Sequence, residues 1–125
     1  MRKLLIVSLM LLLMGCGSST ALVRDCHNGL MVAGQGYNAA GDIVHDLSQR
    51  GQLSDEAKAD WIRYGRQFNI VYHRAVSLLS AYSNCSDGEL KGEYEIALRV
   101  AVNECMGIAG DIIEFQATLE EVGHE

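Results

Sequence analysis

The sequence contains no proline and few basic residues, and both shortages narrow the class of structure. Proline lacks a backbone N–H and interrupts helices, so its absence favours long helices. The chain holds 10 basic residues against 16 acidic ones, a net charge of −6. Nucleic acid and anionic lipid attract proteins through lysine and arginine, so this balance argues against both as partners. A chain that is 49% hydrophobic and 21% charged is nevertheless typical of a folded protein.

Motifs of known catalytic chemistry are also missing. The sequence has no G-x-S-x-G nucleophile elbow, no H-E-x-x-H helix and no carboxylate pair at a recognisable catalytic spacing. A G-x-G-x-x-A string runs from Gly34 to Ala39, but such a string binds dinucleotides only between a strand and a helix of a parallel sheet. We therefore expect no enzymatic activity. We expect the small residues of this segment to let another helix approach, with Gly107 and Gly110 as counterparts.

The longest hydrophobic run lies at the N-terminus. Arg2 and Lys3 precede residues 4–14, which are apolar except for Ser8. Eleven helical residues span about 16 Å, roughly half the hydrocarbon core of a bilayer, so this run is typical of a signal peptide and too short for a membrane-spanning helix. Removal of residues 1–15 would leave 8 of the 10 basic residues against 16 acidic ones, a net charge of −8.

The end of this run, Leu13-Met14-Gly15-Cys16, resembles the lipobox of bacterial lipoproteins. The resemblance implies that cleavage leaves Cys16 as the first residue, carrying a diacylglycerol group and an N-acyl chain such as palmitate. More than one acyl chain gives stable anchoring. Gly17 stands where an aspartate would favour inner-membrane retention, so the resemblance implies the outer membrane in a Gram-negative host. The alternative is an ordinary secretory leader in which Cys16 is incidental.

From residue 26 onward, apolar residues recur at alternating steps of four and three. This is the spacing of one face of a packed helix, whereas a strand would alternate every second residue. The pattern predicts helices at about 27–50, 55–84 and 87–122. Residues 16–25 then form the lipidated cysteine and a short tether, and residues 26–125 form one helical domain.

The connections between these helices are short and carry boundary signals. Gly51 suits the left-handed conformation that ends a helix, and Ser54 suits the N-cap of the next. Ser86 and Glu89 fit a capping box before the third helix. Short connections make neighbouring helices antiparallel, so we predict an all-α, up-down-up antiparallel three-helix bundle. A two-helix hairpin paired with a second copy, a homodimer, would satisfy the same pattern.

Three cysteines remain after Cys16, and all three continue the apolar stripes. In an up-down-up bundle Cys26 and Cys85 lie at the same end, so we predict a disulfide between them. Cys105 lies about 26 Å further along the third helix, and we expect it to be a buried free thiol. A Cys85–Cys105 pair remains open if the third helix begins late.

Two groups of polar residues are weaker candidates for sites. Asp42, His45 and Asp46 fall within one helical turn and could hold a divalent metal, although a solvated face with an Asp46–Arg50 ion pair is the favoured interpretation. The second helix carries a set of basic residues, and the chain after Arg99 carries six acids and no base. We interpret these charges as two faces that attract each other across the bundle, and alternatively as a partner surface formed by Lys58, Arg63, Arg66 and Arg74.

These observations predict a non-enzymatic binding module of the bacterial cell envelope. Its partners would be the membrane, through the lipid anchor, and an envelope protein, with no cofactor beyond the covalent lipid. In size, helical class and cysteine usage the chain is similar to secretin pilotins, lipoproteins that bind a partner's amphipathic helix and escort it to the outer membrane. It also looks like the small prophage- or plasmid-encoded lipoproteins that exclude superinfecting phage. A carrier of a small ligand or metal is a further alternative.

Overall fold

The computed structural model describes residues 19–123, which form three long helices. The first helix, α1, spans Ser19–Gln49, the second, α2, spans Asp55–Asn84, and the third, α3, spans Gly88–Gly123. There is no strand in this part of the chain. The predicted all-α three-helix bundle is therefore confirmed. The predicted signal peptide and lipidation site at Cys16 lie outside the described residues.

Neighbouring helices run antiparallel, as the side chains at each end of the bundle show. Val23 near the start of α1 lines one crevice with Tyr82, near the end of α2, and Lys91, near the start of α3. At the opposite end, Val44 of α1 and Leu119 of α3 share a buried cluster. The helix α3 packs against both other helices more extensively than those two pack against each other.

The first helix begins earlier than the sequence pattern predicted. Residues 19–25 were expected to belong to a tether, and that expectation is wrong, because α1 starts at Ser19. Leu22 lies one helical turn before Cys26, and both side chains are buried in the main core cluster. Burial of Leu22 extends the apolar stripe by one turn and keeps this segment helical. Only two residues then separate Cys16 from α1.

The turn between α1 and α2 follows the predicted signals. Gly51 has a φ of 68°, the left-handed conformation that glycine adopts without strain. The hydroxyl of Ser54 accepts a hydrogen bond from the backbone N–H of Ala57 at 3.1 Å, so Ser54 caps α2. Asp55 and Glu56 place negative charge in the first turn, where the helix dipole favours it.

The turn between α2 and α3 differs from the predicted capping box. Asp87, and not Ser86, caps α3, because its Oδ1 accepts a hydrogen bond from the backbone N–H of Leu90 at 3.0 Å. The carbonyl of Asp87 also accepts the first helical hydrogen bond, from Lys91 at 2.8 Å. Aspartate and serine are comparable N-caps, so the sequence alone did not discriminate between adjacent positions.

The centre of the core lies on α3. Its residues Leu98, Val102, Cys105 and Ile112 have no solvent-exposed surface. Burial of such aliphatic side chains contributes roughly 1.5 to 3 kcal/mol each. The helix that supplies four of the five largest fully buried side chains is therefore the one that both others contact.

Candidate functional site

Aromatic rings fill the space between α1 and α2. Tyr37 of α1 is stacked between two rings of α2, with ring centroids 5.1 Å from Trp61 and 4.6 Å from Phe68. Phe68 stacks in turn on Tyr72 at 5.4 Å. Rings between two helices hold their backbones apart. The layer thus explains why α1 and α2 make fewer contacts with each other than with α3.

Glycines make room for these rings. A methyl group added at Gly34 would lie 3.8 Å from the ring of Tyr72, and one added at Gly41 would lie 3.4 Å from the ring of Trp61. Gly34 and Gly41 therefore face rings of α2, so their expected pairing with Gly107 of α3 is wrong, and the expected pairing with Gly110 stays a prediction. A methyl group at Gly107 would meet nothing within 4 Å. The dinucleotide-like string lies inside α1, and its first glycine serves ring packing.

A groove opens where this aromatic layer meets the α1–α2 turn. The groove, called here the α1–α2 groove, has a volume of about 440 Å³. Val44 and Leu53 are buried at its floor beside Trp61, and Ile62 is 53% exposed at its edge. Its full lining is Gly41, Val44, His45, Ser48, Leu53, Lys58, Trp61 and Ile62.

The lining of the α1–α2 groove is apolar at its floor and partly polar at its edge. Buried Val44 and Leu53 form the floor, and His45, Ser48 and Lys58 add polar side chains. Ligand sites typically combine an apolar lining with a few polar groups at this scale of volume.

The apolar surface continues along the same two helices. Met31 lies about one turn before Gly34, and Val76 lies one turn after Tyr72. Gly34 faces Tyr72, and the two helices are antiparallel. The exposed side chains of Met31 and Val76 therefore lie near each other, one helical turn beyond the Gly34–Tyr72 contact. Met31 and Val76 therefore add exposed apolar side chains further along the same pair of helices.

Lys58 lies apart from the other basic residues predicted as a partner surface, because it lines the α1–α2 groove. Arg63 lies about 140° further round the helix, where it pairs with Asp60 at 3.1 Å and lies over the ring of Tyr64 at 5.0 Å. Arg66 is exposed three residues after Arg63, about 60° from it round the helix.

The remaining basic residue of that set joins two helices. Arg74 of α2 pairs with Glu104 of α3 at 3.4 Å. This contact is the attraction across the bundle that the charge pattern predicted. It is also why Arg74 points away from the α1–α2 groove.

The weak metal candidate on α1 is not supported by the geometry. Within residues 19–123, no three histidine, cysteine or acidic side chains come close enough together to hold a metal ion. Asp46 pairs with Arg50 at 3.1 Å, as the favoured interpretation predicted. His45 lines the α1–α2 groove and does not form a metal-binding group with Asp42 and Asp46.

The predicted Cys26–Cys85 disulfide is not present in the structure, where Cys26, Cys85 and Cys105 are free thiols. The side chain of Cys85 donates a hydrogen bond to the carbonyl of Asp87 at 3.5 Å within the α2–α3 turn. Cys26 packs in the core instead. The two residues lie at one end of the bundle, as predicted, but the side chain of Cys26 contacts the core and that of Cys85 contacts the α2–α3 turn.

Burial makes two of these thiols unreactive. Burial is the main cause that raises the pKa of Cys26, and burial raises the pKa of Cys105 to about 11. The thiolate is the reactive form of cysteine, and it is scarce at neutral pH when the pKa is high. Neither residue is therefore suited to be a nucleophile.

The side chains that matter most at the α1–α2 groove were missed by pattern analysis. The apolar stripe through Ala57, Trp61 and Tyr64 predicts only that Trp61 faces the core. Ile62 lies off that stripe, and a large apolar residue outside the stripe was the available signal. The same signal marks Ile70, Ile96 and Val100 as exposed apolar residues.

Comparisons of this chain with protein-family models, with curated proteins and with solved structures gave no match. Among residues 19–123, none of the helices combines the length and the hydrophobicity needed to cross a membrane.

Proposed function

We propose that this chain is a non-enzymatic binding module of the bacterial cell envelope, anchored through lipidated Cys16 and binding an envelope protein through the α1–α2 groove. The observation that carries the proposal is the groove itself. Buried apolar side chains form its floor, and Ile62 remains 53% exposed at its edge. A large apolar side chain beside an open apolar groove is expected to be covered by a partner.

The shape of the site favours a helical segment as the bound element. The groove lies between two helices, and the exposed apolar residues continue along them to Met31 and Val76. An amphipathic helix binds such a surface by placing apolar side chains from successive turns into it. A pilotin-like escort of a secretion-system secretin is the version of the function that this feature favours.

The position of Cys16 sets the orientation of the bundle in this proposal. Two residues separate Cys16 from Ser19, so α1 starts within about 10 Å of the lipid. Gly41 lies 22 residues further along α1, a rise of about 33 Å. The groove is thus held at the end of the bundle away from the bilayer, within reach of a partner in the adjoining compartment.

The anchor is tested by mass and by fractionation. The protein extracted from membranes should begin at Cys16 and carry the added mass of three acyl chains. Cys16→Ala should move the protein from the membrane to the soluble or unprocessed fraction. A wild-type chain that begins elsewhere, or lacks the acyl mass, would contradict the anchor.

The groove is tested by site-specific crosslinking in cells. A photo-reactive amino acid at position 62 should give a discrete adduct with one envelope protein. The matched control is position 70, another isoleucine of α2, which is 62% exposed and does not line the groove. Adducts of equal yield at both positions, or none at position 62, would contradict a partner in the groove.

A further inference from the structure

A second exposed apolar surface lies on α3. Ile96 is 69% exposed, more than any other large apolar side chain in the described part of the chain, and Val100 one turn later is 52% exposed. The buried residues of this segment, Leu98 and Val102, lie on the opposite side of the helix. Two adjacent aliphatic side chains are therefore presented to solvent.

The row continues beyond Val100 at helix-packing spacing. Ile96, Val100, Asn103 and Gly107 follow steps of four, three and four, the spacing of a face that packs on another helix. We call these four residues the outer face of α3. A methyl group at Gly107 would meet nothing within 4 Å, so a side chain from outside has room there.

Asn103, the third residue of this face, has a side-chain oxygen without a hydrogen bond within residues 19–123. Its Oδ1 atom is buried and accepts no hydrogen bond from any group in the described residues. A buried acceptor without a donor lowers stability. Rotation of the Asn103 side chain towards the outer face would bring this oxygen within reach of a partner's N–H group and remove that cost.

The charges around the outer face indicate which sign of charge a partner would carry. The flanking residues include four exposed acids: Glu89, Glu93, Asp111 and Glu114. A fifth, Glu104, already pairs with Arg74 of α2. The basic residues of α3 are engaged elsewhere. Lys91 lies 5.0 Å above the ring of Tyr82, and Arg99 pairs with Glu95 at 3.0 Å.

We propose that the outer face of α3 binds an amphipathic helix whose apolar row is flanked by lysine and arginine. Leucine-sized side chains would cover Ile96 and Val100 and enter the space over Gly107. Basic side chains would meet the flanking acids, and one would donate to Asn103. A second copy of this chain is disfavoured because its own acids would face these acids, and an anionic membrane is disfavoured for the same reason.

The binding test uses two synthetic helical peptides and the mature lipidated chain in zwitterionic detergent micelles. One peptide has leucine at the first and fourth positions of each heptad and lysine elsewhere, and the other has glutamate in place of lysine. Fluorescence anisotropy of labelled peptide measures affinity, with empty micelles as the background. The lysine peptide should bind at least tenfold more tightly than the glutamate peptide.

The location is tested by matched double variants. Ile96→Gln with Val100→Gln should weaken binding of the lysine peptide at least tenfold. The control, Ile70→Gln with Val32→Gln, removes an exposed isoleucine of α2 and an exposed valine of α1, neither of which lines the α1–α2 groove, and should leave the affinity unchanged. Circular dichroism should show that both variants remain helical. Equal binding by the wild type and the Ile96/Val100 variant would overturn the proposal.

The role of charge is tested separately. Glu93→Gln with Asp111→Gln should weaken the lysine peptide several-fold and flatten the dependence of its affinity on salt, with no gain in glutamate-peptide binding. Tight binding of both peptides would overturn the assignment to a basic partner. Analytical ultracentrifugation measures the oligomeric state. If the wild type is a dimer and Ile96→Gln with Val100→Gln makes it a monomer, the outer face binds a second copy of the chain and the proposal is overturned.

Discussion

The interface between α1 and α2 and the interfaces made by α3 are built from different side chains. Stacked rings, seated against glycines, lie between α1 and α2. Fully buried aliphatic and thiol side chains, such as Leu98, Cys105 and Ile112, join α3 to both partners. Close aliphatic packing stabilises a fold, whereas rings that hold two backbones apart leave space beside them. Packing of α3 is therefore the main source of stability, and the aromatic layer is the reason that the α1–α2 groove is open.

The largest expected effect is the loss of an aliphatic side chain from α3. Ile112 has no exposed surface, and its neighbour Ile113 is 36% exposed. Ile112→Ala should lower the free energy of unfolding by about 2 to 5 kcal/mol, because it removes buried methylene groups and leaves a cavity. Urea unfolding followed by circular dichroism measures this loss.

Ile113→Ala is the control for that variant, and it should cost well under half as much. Similar losses at the two positions would break the proposed division between a dry α3 core and a solvated outer surface.

The second prediction concerns the dryness of the α3 core. Burial raises the pKa of the Cys105 thiol from 9.0 to about 11. The unfolded chain then releases a proton above pH 9 that the native chain retains. The stabilising contribution of the neutral thiol is therefore complete below pH 9 and is lost as the pH rises to 11, by an amount on the order of 2 kcal/mol.

The measurement for Cys105 is the slope of stability against pH from 8 to 11, taken for the wild type and for Cys105→Ala. The variant is less stable at every pH because it creates a cavity, but its slope should be shallower than that of the wild type. Identical slopes would show that water or a charge reaches the thiol and that this part of α3 is not dry.

The third prediction concerns the aromatic layer. A methyl group at Gly65 would lie 3.0 Å from the hydroxyl oxygen of Tyr37, and that ring cannot retreat easily because Trp61 and Phe68 stack on its two sides. Gly65→Ala should therefore lower the free energy of unfolding by about 1 kcal/mol, despite the better helix propensity of alanine.

Two companion variants sharpen this result. Gly36→Ala in α1, where a methyl group meets nothing within 4 Å, should stabilise the protein by up to about 1 kcal/mol. Tyr37→Phe removes the crowded hydroxyl, so Gly65→Ala in that background should become neutral or stabilising. A stabilising Gly65→Ala in the wild type would mean that the ring layer is loosely packed.

The same comparison shows what the sequence could and could not predict. Periodicity identified the three helices, since most core positions on α2 and α3 lie three or four residues from another core position. It missed the first turn of α1, because Leu22 alone extends the stripe there. The α1–α2 groove depends on which ring faces which glycine across two helices. A one-dimensional pattern shows that Tyr37 and Trp61 face inward but not that they stack on each other.

The cysteines illustrate a related limit. The topology correctly placed Cys26 and Cys85 at one end of the bundle, but a disulfide requires that two side chains point at each other within a narrow distance range. Cys85 ends α2 in an extended conformation and turns its thiol to Asp87. The direction of a side chain at a helix terminus depends on the cap geometry, which helical periodicity does not describe.

The smallest expected effect is at the ion pair between α2 and α3. Arg74 and Glu104 are 3.4 Å apart, but about half of each side chain is exposed, so water screens their attraction. Glu104→Gln should lower the free energy of unfolding by less than about 0.5 kcal/mol, and 1 M salt should abolish the difference. Asp60→Gln, which breaks the pair with Arg63 inside α2, is the matched control. A loss at position 104 as large as that of Ile112→Ala would mean that charge, and not aliphatic packing, holds α2 on α3.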